Sequence, residues 1–60
     1  MRAYSLNELF RLTRNELFDL HAEIVRELDV IPEDTAELVV AFENLRLIRR
    51  VLAHPHFAPL

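Results

Sequence analysis

The chain has 60 residues, 52% apolar and 28% charged, with ten acidic residues, seven arginines, no lysine and a formal net charge of −3. A domain of this size buries only about 60% of the surface its unfolded chain exposes and is marginal when alone, and the absence of cysteine excludes a disulfide staple and thiolate ligands for a structural zinc. The negative balance argues against a general nucleic-acid binder, whose domains carry a basic excess, and no apolar run approaches the roughly 18 residues of a membrane span.

The first residues, Met1-Arg2-Ala3-Tyr4-Ser5, lead directly into a helix start and lack the apolar core of a secretory signal, so the expected chain is cytoplasmic and has no targeting segment. In three places an oxygen-bearing residue precedes a glutamate by three positions: Ser5 with Glu8, Thr13 with Glu16, and Asp34 with Glu37. That spacing lets each side chain of the pair accept from the other residue's backbone N–H, which marks the start of a helix. The first pair opens a short segment over 6–12 with Leu6, Leu9 and Phe10 on one side. The second opens a longer helix over 14–28, with Leu17, His21, Ile24 and Leu28 on one face and Phe18 and Val25 flanking it. A break or kink is expected at Thr13.

Pro32 disfavours helical dihedrals at Ile31, and Asp29-Val30-Ile31-Pro32-Glu33 supplies a connection short enough to make the helices on either side antiparallel neighbours. The last helix is predicted over 35–53 and closes before Pro55, leaving 54–60 as an extended tail whose Phe57 and Leu60 either pack back or remain free. No repeat or linker divides the chain, so it reads as one domain.

The last helix is apolar around more of its circumference than one neighbour can cover. One stripe holds Leu38, Ala41, Leu45, Ile48 and Leu52, at the spacing of a heptad seam. A second holds Ala36, Val40, Asn44, Leu47 and Val51. With Phe42 on the far flank the apolar arc spans about 240°, against about 100° or more for a surface helix. Only Glu43, Arg46 and Arg50, with Val39 among them, form an outward strip. The expected architecture is all-α: a short N-terminal helix, then an antiparallel helical hairpin, assembled as a homodimeric bundle. Its expected interface is Leu38, Val40, Ala41, Asn44, Leu45, Leu47, Ile48, Val51 and Leu52. A monomeric three-helix fold is the alternative, with Leu6, Leu9 and Phe10 covering the second stripe. Asn44 in that stripe suggests a residue fixing register or oligomeric state, or one at the helix edge facing water.

Folding the hairpin polarises its charge. Glu27, Asp29, Glu33, Asp34 and Glu37 gather at the loop end, and Arg11, Arg14, Arg46, Arg49 and Arg50, joined by Arg2, at the open end. Helix-dipole matching explains part of this, although Glu27 and Asp29 lie at the unfavourable end of their helix. Two hairpins with loops at opposite ends would set each acidic loop beside the other's arginines. Alternatively Arg11, Arg14, Arg46, Arg49 and Arg50 contact an anion, a nucleic acid or an acidic protein partner.

Chemistry finds little support. His54-Pro55-His56 holds two potential ligands separated by a proline, with His21 far along the chain, so no metal site is expected. His21 itself lies on a seam, as a partly buried imidazole or a pH-sensitive contact. Ser5, Thr13 and Thr35 are claimed as caps, no glycine-rich loop exists to cradle a phosphate, and no nucleophile, base and orienting group can be assembled, so neither enzymatic activity nor a cofactor is expected. A helix-turn-helix reader fits poorly, because the would-be recognition helix carries Glu16, Asp19, Glu23 and Glu27 against Arg14 and Arg26. In length and topology the chain resembles the small RNA-modulating helical-hairpin dimers of the Rop type. That likeness includes no residue motif and implies no function. The expected role is a small non-enzymatic interaction or regulatory module, with nucleic-acid binding through the arginine end as the alternative.

Overall fold

The computed structural model describes residues 1–54. They form three helices, α1 (Leu6–Phe10), α2 (Arg14–Leu28) and α3 (Ala36–Leu52), with no strand among the described residues. The expected tail beyond His54, with Phe57, Leu60 and the proline-flanked His56, lies outside them.

Helices α1 and α2 are separate because each has its own start. Ser5 and Thr13 both have extended backbone and both make reciprocal capping boxes, with Glu8 and Glu16 respectively. A capping residue must leave helical dihedrals to present its oxygen to the N–H groups that follow, so the Thr13 cap interrupts the helix on its N-terminal side. Helix α1 therefore ends at Phe10, two residues short of the predicted segment, and Arg11 and Leu12 close it with bonds to the carbonyls of Glu8 and Leu9 at 3.2 and 3.1 Å.

The third start differs from the sequence expectation. Thr35, not Asp34, caps α3: its hydroxyl accepts from the Leu38 N–H at 3.2 Å and donates to the Pro32 carbonyl at 2.8 Å. Asp34 turns the chain into the cap from the left-handed region, with φ 62°, a conformation that short polar residues tolerate better than most. The residue three positions after Thr35 is Leu38, so α3 has a cap without a glutamate to reciprocate.

α2 and α3 form the antiparallel hairpin, and the guanidinium of Arg14 at the start of α2 reaches the Leu52 carbonyl at the end of α3, 3.5 Å away. Leu17 and Ile24 of α2 meet Ala41, Leu45, Ile48 and Val51 of α3 in the core, closed by Leu9 from α1 and by Ile31 from the connection. Ile31 reads in sequence as part of a loop, yet it is buried. Val30 and Ile31 donate to the Glu27 carbonyl at 3.0 and 3.1 Å, and this tight turn folds Ile31 back over the end of the hairpin.

Residues 1–5 run along α3 and are held by Asn44. The Asn44 Oδ1 accepts from the Tyr4 N–H at 3.0 Å, and its Nδ2 donates to the Arg2 carbonyl at 2.9 Å. The carboxamide thus pairs with two backbone groups of an extended segment as a neighbouring strand's peptide unit would. Asn44 is 1% exposed, and both of its polar atoms are engaged. This corrects one expectation for it: Asn44 does not face water but clamps the chain's own beginning.

Candidate interaction surface

The two flanks of the hairpin differ. On one, Met1, Arg2 and Tyr4 face Leu20, Glu23, Ile24 and Glu27 of α2 across a cleft of about 260 Å³, while Asn44 and Glu37 hold the same segment from α3. Successive helical residues turn by about 100°. Phe18 and Val25 therefore point about 160° away from the Leu20 and Glu27 edge of α2, and Phe42 about 160° away from Asn44 on α3. These three share the opposite flank, which neither α1 nor residues 1–5 reach. They are 49%, 43% and 55% exposed, with half-buried His21, Leu28 and Leu38 between them and the core.

Of the nine residues expected at a subunit interface, Ala41, Asn44, Leu45, Ile48 and Val51 are enclosed by the chain itself, and Leu38, Val40, Leu47 and Leu52 are half-buried. The second stripe is covered in part from within, by residues 1–5 through Asn44 and by Leu9 of α1, while Ala36 at its start is exposed. The sequence signal for the other flank was present in Phe18, Val25 and Phe42, but each stood at the margin of a wider stripe. Val39 and Val30, 68% and 78% exposed, are single apolar residues on the outward strip and in the connection.

Charge at the hairpin ends follows the expected polarity, with one correction. Arg2 leaves the open end: its guanidinium lies 4.4 Å from the Tyr4 ring centroid and pairs with Glu8. Glu37 is engaged by the Met1 amino group at 3.2 Å, and Arg46 lies 3.6 Å from Glu43 on its own helix. Arg14 stacks over Phe18 at 5.3 Å. Arg11, Arg49 and Arg50 are exposed and make no ion pair among the described residues. The Ser5 N–H donating to Glu8 is the main cause that lowers the Glu8 carboxyl from its ordinary value; loss of hydration opposes it, and the nearby Arg2 adds a smaller lowering. His21 makes no hydrogen bond among the described residues, while His54 packs edge-on against Phe10 at 5.3 Å.

The described residues hold no group of three metal-ligating side chains, and no described helix is long and apolar enough to cross a membrane. The hydroxyls of Ser5, Thr13 and Thr35 each accept a backbone N–H. No protein-family model, characterised protein or solved structure matches this chain.

Proposed function

We propose that this chain is a small non-enzymatic interaction module that works through the open flank of its α2/α3 hairpin. The observation that carries this reading is the apolar group of Phe18, Val25 and Phe42, left half-exposed among the described residues, on a domain with few other means of adding to its core. Contiguous exposed apolar surface on a soluble domain marks a contact site, and here it lies on two rigid helices, not on a loop. The engaged hydroxyls support a non-catalytic role, since each acts as a cap.

A photo-crosslinking residue at position 25, introduced in cells that make the protein, tests the reading. The expected result is one discrete adduct, identified by mass spectrometry and able to bind the purified protein. A residue at position 23, on the flank covered by residues 1–5, is expected to give none. Absence of an adduct at position 25 overturns the proposal.

Arg11, Arg49 and Arg50, exposed and without an ion pair among the described residues, favour one second reading, binding of nucleic acid at the open end. A mobility-shift assay at low salt tests it, because phosphate contacts of this kind are strongest there. Absence of retardation removes it.

A further inference from the structure

We infer that the occupant of the open flank is a second copy of this chain, packed face to face with its loop at the opposite end. This rests on the reading of that flank as the working surface and adds the identity and orientation of the partner. The support is a register in α2. Phe18 and Val25 lie symmetrically about the midpoint between His21 and Ala22, and so do Arg14 and Asp29. All four share the open side of the helix, with Asp29 at its C-cap.

A two-fold axis through that midpoint, perpendicular to the helices, lays α2 antiparallel on its copy. Each Phe18 then meets the partner's Val25, and each Arg14 meets the partner's Asp29, so apolar meets apolar and cation meets anion. An isologous interface demands this self-complementarity. The same axis lays α3 on its copy and brings Phe42 opposite the partner's Arg49, a guanidinium on an aromatic face. The acidic connection, with Glu33 and Asp34, comes to the partner's arginine end. The alternative two-fold, parallel to the helices, puts both acidic loops together and both arginine ends together, which like-charge repulsion opposes.

The area is modest. A face two helices wide and about 20 Å long covers roughly 500 Å² per copy, or about 1,000 Å² in total, at the lower edge of specific interfaces. The dimer is therefore expected to dissociate in the micromolar range. Covering Phe18, Val25 and Phe42 in this way makes a four-helix core of the two hairpins, while residues 1–5 and α1 remain on the outer faces.

Sedimentation equilibrium of the full chain from about 5 µM to about 1 mM tests the inference, with R14D and D29R as the variants. Both positions are exposed, so neither change disturbs the core; R14D also gives up the Leu52 carbonyl and the Phe18 ring, a loss that the mixture of variants separates from the charge contact. Each variant alone sets like charges opposite each other twice and is expected to weaken the dimer roughly tenfold or more. An equimolar mixture of the two variants is expected to form a heterodimer, because Asp and Arg then oppose each other at both contacts. A wild-type protein that stays monomeric overturns the inference, as does a dimer indifferent to R14D and D29R. In the position-25 crosslinking experiment, an adduct to a different protein or to the chain's own residues 55–60 also overturns it. The first of these outcomes leaves the open-flank reading standing, whereas absence of any adduct removes both.

Discussion

The two flanks of the hairpin begin from similar sequence material and end in opposite conditions. On one, a polar residue in an apolar stripe binds the backbone of residues 1–5 and closes that side. On the other, Phe18, Val25 and Phe42 remain half exposed although they are among the larger apolar side chains. An asparagine provides a built attachment for a specific extended segment because its carboxamide both donates and accepts. An apolar patch attracts whatever shape fits it, and supplies no direction of its own. Closure of the first flank is consequently a matter of hydrogen bonds, and closure of the second of area and charge register.

The largest way to break that contrast is N44L. It removes both partners of the Tyr4 N–H and the Arg2 carbonyl and is expected to cost about 3 kcal/mol by urea denaturation, with no change in oligomeric state. If N44L instead changes the oligomer and leaves protomer stability intact, the clamp is not what Asn44 is for. Truncation of Leu9, which is fully buried, probes the same flank: L9A is expected to cost about 2–4 kcal/mol.

A smaller effect is expected at the α3 start, where T35A loses the bond to the Leu38 N–H and the one to the Pro32 carbonyl. It is expected to lower stability by about 1 kcal/mol. Relieving the left-handed conformation at Asp34 with D34G acts in the other direction, raising the midpoint of thermal unfolding by the equivalent of about 0.5 kcal/mol. On the open flank, F42S is expected to leave protomer stability within about 0.5 kcal/mol of wild type, as for other exposed positions. If its loss matches that of L9A, Phe42 belongs to the core and the flank is not open.

The smallest effect is one of pH. The folded-state pKa of Glu8 lies below its ordinary value of 4.5, so its contribution is fully present above that value and is lost as pH falls through the folded one. The stability of wild type is therefore expected to exceed that of E8Q at neutral pH, with the difference closing in acid. A difference that is constant with pH removes the electrostatic part of the first capping box.

Much of the helical framework was legible in local patterns. Ser5 with Glu8 and Thr13 with Glu16 encode their starts within four residues, because capping joins side chain and backbone across a single turn. The apolar faces of α2 and α3 follow from helical periodicity alone. Asp34 misled for the same reason: with Glu37 it matches the capping pattern, while Thr35, one residue later, has no glutamate three positions on. The choice between them depended on how the chain leaves Pro32 and on burying Ile31. Arg2 was assigned to the wrong end because its place depends on the path of residues 1–5, which follow no periodicity.

The sequence by itself determined where the first two helices start, that the last helix has more apolar surface than one partner covers, and that charge separates along the hairpin. Each is a local or periodic property, written in residues within a turn or two of one another. Only the tertiary structure decided which apolar stripe is covered and by what. That decision joins Asn44 to Arg2 and Tyr4, some forty residues away, through hydrogen bonds to backbone groups that every residue except proline carries in full. Contacts to the backbone are indifferent to the side chains of the segment they hold, so they leave no pattern in the sequence, and the open flank opposite them becomes visible only once they are made.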